Sequence, residues 1–517
     1  MRRVVVAATG LLVTLGAAVV VGYLLLFSVV ADRAARAVPA DTAVYLNVYL
    51  QPSAGQQLDL FGLIGRIRGF GDQATLEAKI DEVAGRLLRQ VGIDYVADVR
   101  PWLGDQIAVG VVPGDGSSQP AELLLAAVKD SAAARASMPH LFASMKVTLK
   151  EETFRGQTLM TSESTSYALL DDLLVVASTP DRLRASIEAE TDVTASLADS
   201  AAFAAAMRTV ASDHLASIYV NVPRVAGLTE GRELGGFSTA ALALTAAADG
   251  LHLDGTAPFA AEAASKEARA AFALGTRLST LAGWMPATTS AEVVLFGAGQ
   301  SFEDLEASLA GNSAFAPAID ALNQLRLIAS LGLGINFSRD LLPLFDGESA
   351  VALDSLDADG FHGQILLRPS DPSAAEASLD RMRSALADRG STVKSREVAG
   401  ITLSSVEVPP VGAVAFAVLD GVVILGLDAA DVAAAIEARA AGTTLDTDER
   451  YGAPFELTGA HAGNELWADV LTLVDALAGS FDPGSELRDI LHQIGELAIS
   501  AAATDGQLEM HGVLTVK

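Results

Sequence analysis

Cysteine is absent from the 517 residues. That absence excludes a disulfide framework, a cysteine nucleophile and any cysteine-ligated metal. Basic residues are few: 35 Lys plus Arg stand against 64 Asp plus Glu, a formal net charge of −29. A field of that sign repels phosphate backbones, so nucleic acid is not expected as a partner. Lysine is scarcest, with 7 of those 35, and the Arg, Ala, Gly and Val excess reads as a genomic base-composition bias. Aromatic residues make up only 5%, although half the chain is hydrophobic. The interior must therefore be filled largely by small aliphatic side chains, and wholesale disorder is ruled out. At a prior of about 150 residues per domain, the length points to two to four domains.

Long uncharged runs are equally rare, which makes one of them conspicuous. Arg2 and Arg3 precede Val4 to Val30, 27 residues without a charge. At about 1.5 Å per residue such a helix exceeds the roughly 30 Å hydrocarbon core of a bilayer. The expectation is a single-pass signal anchor over residues 1–37, with the N-terminus inside and the main domains extracytoplasmic. A cleaved signal peptide is the alternative, because Ala35-Arg36-Ala37 fits a small-x-small cleavage pattern. Its apolar region would normally run only about 7–15 residues, which favours the uncleaved anchor. No Cys follows the run, so a lipoprotein tether is excluded.

Beyond the anchor the chain reads as one unit written twice. Val38-Pro39-Ala40-Asp41-Thr42-Ala43 answers Met285-Pro286-Ala287-Thr288-Thr289-Ser290. Pro101-Trp102-Leu103, ending at Ala108-Val109, answers Pro343-Leu344-Phe345, ending at Ala350-Val351. Gly156-Gln157-Thr158-Leu159 answers Gly400-Ile401-Thr402-Leu403, and further matches follow in the same order. A period this long gives each copy its own core rather than a solenoid. Within a copy, helical patterns such as Leu76, Ile80, Val83, Leu87 and Val91 alternate with strands joined by hairpin signals, Asp420-Gly421 among them. The expected fold class is α+β: an N-terminal transmembrane helix, then two tandem homologous α+β domains with largely antiparallel sheets. The expected boundaries are 38–259 for the first repeat, 260–285 for a helical linker and 286–517 for the second repeat.

An apolar N-terminal segment followed by Val38-Pro39-Ala40-Asp41-Thr42-Ala43-Val44-Tyr45, with Arg100-Pro101-Trp102-Leu103-Gly104-Asp105 downstream, resembles an uncharacterised bacterial family of membrane-anchored envelope proteins, domain of unknown function 3352. The resemblance implies an extracytoplasmic, membrane-linked protein and supplies no catalytic residues. The second copy lacks the Trp and the Leu-Gly-Asp.

Chemistry-bearing motifs are sparse. The histidines at 140, 214, 252, 362, 461, 492 and 511 show no metal-binding spacing, and His252 and His511 fit strand positions. Ser391-Thr392-Val393-Lys394 matches Ser-x-x-Lys but follows Gly390 on a strand pattern and lacks the companion motifs. Asp354, Asp357 and Asp359 with Gly360 suggest a calcium loop, yet Leu366 stands where a bidentate Glu would close it. Trp102, Trp284 and Trp467 are expected in the core, since Trp467 aligns with Tyr219. No catalytic, cofactor or metal residue is assigned, and no cofactor is expected. The functional expectation is a non-enzymatic binding or structural protein of the bacterial envelope, tethered through Val4 to Val30, with an envelope protein or a lipid as partner. The alternative is an extracytoplasmic hydrolase of wall or lipid substrates whose site converges from distant segments.

Overall fold

A computed structural model describes residues 32–67, 81–82, 84–86, 88–89, 92–114, 120–228, 236–264, 266–299, 302, 323, 326, 336–357, 360–388, 390, 392–408, 412–459, 462–477, 492–504 and 506–517. Two compact units divide at Pro258 and Phe259.

Among the described residues the first unit contains ten strands. They are β1 (Val44–Tyr49), β2 (Leu103–Val112), β3 (Ala121–Val128), β4 (Lys150–Phe154), β5 (Gln157–Thr161), β6 (Ser166–Leu170), β7 (Leu173–Ala177), β8 (Ala216–Asn221), β9 (Thr239–Ala247) and β10 (Gly250–Pro258). Their antiparallel pairings give the order β4-β5-β6-β7-β3-β2-β1-β8-β9-β10. The second unit contains β11 (Ala291–Phe296), β12 (Glu348–Asp357), β13 (Gly360–Arg368), β14 (Lys394–Val398), β15 (Ile401–Val408), β16 (Gly412–Leu419), β17 (Val422–Gly426), β18 (Asn464–Asp469), β19 (Ile494–Thr504) and β20 (Gln507–Val516). Its order, β14-β15-β16-β17-β13-β12-β11-β18-β19-β20, is the same topology. Each unit is thus one large antiparallel sheet with helices in its connections.

Local sequence explains the punctuation. Asp171 (φ 45°) and, in the second unit, Asp420 and Gly421 (φ 48° and 77°) make the tight turns that the right-handed twist of a hairpin requires. Asp130 accepts from the backbone of Ala132 and Ala133 to start the helix Ser131–Ser144. Thr179 with Pro180 starts the helix Pro180–Glu190, and Asp428 caps the helix Ala429–Ala441, which stops at left-handed Gly442.

The expected fold class requires correction. No helix among the described residues is long and apolar enough to cross a membrane. Val4 to Val30, on which the expected transmembrane helix rested, lies outside the described residues. What stands is a mixed helix-and-strand architecture with antiparallel sheets. The residues just after that run belong to the first unit's interior: the 3₁₀ turn Ala34–Arg36 buries Ala34, Ala35 and Ala37 in the same cluster as Tyr45, Leu123 and Leu183. Residues 260–285 contain the helix Lys266–Leu274 and the 3₁₀ turn Leu281–Trp284, whose four residues are buried in the second unit's core. The two turns are counterparts, each followed by an isolated bridge, Pro39 to Ser196 and Pro286 to Thr444.

Candidate functional site

The shared topology lets the units be compared position by position, and they diverge most in chemistry at the centre of the core face. In the first unit Tyr45 of β1 lies opposite Tyr219 of β8, and the Phe203 ring stands edge-on to both, 5.8 and 5.1 Å between centroids. In the second unit Glu292 of β11 lies opposite Trp467 of β18, with Tyr451 edge-on to the indole at 5.7 Å. The place of Ser217 is taken by Glu465. The place of Leu123, reached from Tyr45 across Gly110, is taken by Gln364, reached from Glu292 across Ala352.

Glu292 and Glu465 are 1% and 2% exposed. Alternation puts both on the face occupied by Val294 and Trp467, so they project into the core cluster rather than toward water. Tyr451, on the helix Glu449–Thr458, donates its hydroxyl to Glu465 Oε2 at 3.1 Å. Burial, then the neighbouring Glu465 carboxyl, pushes the Glu292 carboxyl up to about 8. The same burial, reinforced by the Glu292 carboxyl, raises the Tyr451 hydroxyl far above its ordinary value. Such surroundings favour the neutral form of the Glu292 carboxyl. The Trp467 indole nitrogen donates to the Arg450 carbonyl at 3.1 Å, and the Arg450 guanidinium holds Asp448 and Asp469.

A second polar group adjoins it through Gln364. Its Nε2 donates to Asp354 Oδ2 at 2.7 Å and to the Asp431 carbonyl at 3.2 Å. Thr289 donates to Asp354 Oδ1 at 2.9 Å, and His362 Nδ1 stands 3.7 Å from Asp431 Oδ1. Burial raises both aspartates. This arrangement sets two desolvated carboxyls close to an imidazole.

Elsewhere the polar groups serve the fold. Asp32, half-buried and raised by desolvation, accepts from Tyr45 Oη and Gln106 Nε2, each at 2.7 Å, and from the Ala35 backbone at 3.1 Å. The second unit fastens its counterpart turn with the polarity reversed: Glu348, at the place of Gln106, accepts from Ser279 Oγ, Thr280 Oγ1 and the Thr280 and Leu281 backbones. Asp98 and Asp340 are also counterparts, bonded to His140 and Arg381 on the helix that follows in each unit.

The residues weighed from sequence alone are dispersed. His140, His214 and His252 bond Asp98, the Ala211 carbonyl and Asp249 separately, and His461 lies outside the described residues. Ser391 also lies outside them, while Lys394 opens β14. Of the suggested calcium loop, Asp354 is committed to Thr289 and Gln364, Asp359 lies outside the described residues, and Leu366 is fully buried. Among the described residues no group of three or more His, Asp or Glu could hold a metal ion. Trp102, Trp284 and Trp467 are buried, and Trp284 carries the Arg439 guanidinium 4.6 Å above its ring. The sequence reading missed Glu292 and Glu465; aligning the copies at Tyr45 and Tyr219 was the signal that could have found them.

Comparisons with known proteins add the family. No curated protein matches the chain. Crystal forms I, IV and III of TP0453 match 43%, 43% and 44% of this chain and 77%, 79% and 79% of theirs, at 12%, 12% and 13% identity. Their TM-scores of 0.25, 0.24 and 0.24 are too low to carry fold or function. A family model matches residues 4–514, almost the whole length, and the chain belongs to that family, described as Protein of unknown function (DUF3352).

Proposed function

We propose that this chain is a non-enzymatic binding or structural protein of the bacterial envelope, acting outside the cytoplasm and engaging its partner through the second unit. One observation carries the binding part. Val293, Leu295 and Val351, on the adjacent central strands β11 and β12, are 40%, 45% and 44% exposed. Val293 lies directly opposite Val351, which continues opposite Ile365. Alternation turns this row away from the core that holds Glu292 and Val294. A contiguous apolar row in the middle of a sheet, rather than at scattered surface positions, is the kind of patch that protein or lipid partners cover. The extracytoplasmic placement rests on Arg2-Arg3 and the uncharged stretch behind them.

Site-specific photocrosslinking in intact cells tests the binding reading. A crosslinking side chain at 293, 295 or 351 should give one discrete adduct that the same side chain at Leu58 of the first unit does not. Absence of an adduct at all three positions would remove the reading. Protease accessibility of the second unit in intact versus lysed spheroplasts tests the placement separately.

The competing reading, a hydrolase, draws on the approach of His362 to Asp431 beside Asp354. It requires that His362→Ala abolish turnover of a wall or lipid substrate while the fold persists.

A further inference from the structure

Glu292 and Glu465 are diagonal neighbours in an antiparallel ladder: Glu292 pairs with Trp467, and Glu465 pairs with Val294. Long side chains at such positions reach one another. The groups facing them come from every adjoining element. From the helix Glu449–Thr458 comes Tyr451, bonded to Glu465, while Arg450 is held by Asp448 and Asp469. From β12 come Glu348, committed to Ser279, Thr280 and Leu281, and Asp354, which accepts from Gln364 of β13. From β19 comes Ser500, opposite Glu465, and from β20 comes His511, opposite Ser500. The Glu292 carboxyl thus sits in the hydrophobic cluster of Trp467, Phe455 and Val294 beside a second carboxyl and a phenol. Neither Glu292 oxygen finds a hydrogen-bond donor in good geometry, and the nearby Tyr451 hydroxyl offsets only part of the effect of burial. Two ionised carboxyls in such a place would repel each other across a medium that solvates neither. The first unit, with Tyr45 and Ser217 at the corresponding places, has no such pair.

We propose that the Glu292–Glu465 pair is a proton-operated latch on the centre of the second sheet, closed while Glu292 holds its proton and progressively easier to open as the pH rises. The closed state keeps a proton that the opened state gives to water, so linkage fixes the sign. Opening is unaffected by pH well below the ordinary glutamate value of 4.5. It then becomes easier up to the closed-state value of about 8, and levels off above it. One proton corresponds to about a tenfold change in opening equilibrium per pH unit within that window.

Hydrogen exchange of the full chain reads this directly, expressed as protection factors so that the intrinsic pH dependence of amide exchange is removed. Protection of β11, β18 and the helix Glu449–Thr458 should fall about tenfold per unit between pH 5.5 and 7.5. Glu292→Gln, which keeps the shape and removes the proton, should flatten that slope for these segments and leave β1 and β8 unchanged. Glu465→Gln, a second variant that spares Glu292, should move the levelling-off to lower pH by removing the like charge. An unaltered slope in Glu292→Gln would overturn the proposal; if that variant does not fold, an unmoved end point in Glu465→Gln would do so.

Discussion

Tyr45 and Glu292 occupy the same place in their units, the second residue of the central strand, one opposite Tyr219 and the other opposite Trp467. The phenol of Tyr45, buried in the core, is satisfied by its bond to Asp32 at 2.7 Å. The carboxyl of Glu292 is equally buried and has no hydrogen bond of that quality. One topology therefore accommodates two solutions, an aromatic centre with a polar fringe and a polar centre beneath an aromatic lid.

Asp32 links the first unit's leading turn to its sheet. Asp32→Ala would leave Tyr45 Oη without its acceptor and Gln106 Nε2 with only Asn47 Oδ1, at a cost of about 1–3 kcal/mol for the orphaned hydroxyl. A chain beginning at Val38 would lose Ala34, Ala35 and Ala37 as well, all 1% exposed or less. The expected outcome is loss of cooperative unfolding in the first unit for the Val38 chain but not for a chain beginning at Asp32, followed by urea titration. Equal stability of the two chains would contradict the assigned role of residues 32–37.

Trp467 is wholly buried, with its indole nitrogen bonded to Arg450 and Tyr451 packed on its edge. Trp467→Ala should destabilise the second unit by about 3–5 kcal/mol, the range for deleting a large buried aromatic. Tyr451→Phe removes only the hydroxyl given to Glu465 and should cost about 1–3 kcal/mol. Calorimetry should place Trp467→Ala below Tyr451→Phe in thermal midpoint, and the opposite ranking would refute this account of the core.

Asp340 bonds the guanidinium groups of Arg339 and Arg381, each at 2.8 Å, and the Arg339 bond, more than any other contact, holds its carboxyl well below the usual range. The lowered value means that the ion pair stabilises the fold above about pH 4 and that the contribution disappears as pH falls below it. Both arginines are substantially exposed, 64% and 43%, so screening limits the effect to about 1 kcal/mol or less. In urea titrations at neutral pH, Asp340→Asn should therefore unfold measurably earlier than wild type in low salt and at nearly the same midpoint in high salt.

Two glycines should behave differently. Gly421, at φ 77°, has open space where a Cβ would go, so Gly421→Ala carries only the left-handed backbone penalty of about 1–2 kcal/mol. A Cβ on Gly104 would meet the Ala127 backbone at 2.9 Å, a contact that requires β2 and β3 to move apart. Gly104→Ala should lower the thermal midpoint more than Gly421→Ala, measured by circular dichroism.

Much of the architecture was legible because its signals are local. The duplication is written in ordered matches such as Pro101-Trp102-Leu103 with Pro343-Leu344-Phe345. The turns at Asp171 and Asp420-Gly421 and the caps at Asp130 and Thr179 follow from the backbone preferences of those residues. Ala35-Arg36-Ala37, the alternative cleavage pattern, shows the limit of such signals. Read locally it is a processing pattern, and only its packing against residues from the other end of the unit makes it a structural turn.

By itself the sequence determined a repeated α+β unit without cysteine chemistry, acidic overall and free of recognisable catalytic motifs. Tertiary structure decided that Glu292 and Glu465 face inward, because register, set by pairing strands far apart in the chain, brings Glu292 opposite Trp467 rather than opposite water. An acidic residue in an alternating strand reads as solvent-facing until the partner strand is known. The physical reason is that burial belongs to the sheet, whereas propensity belongs to the residue.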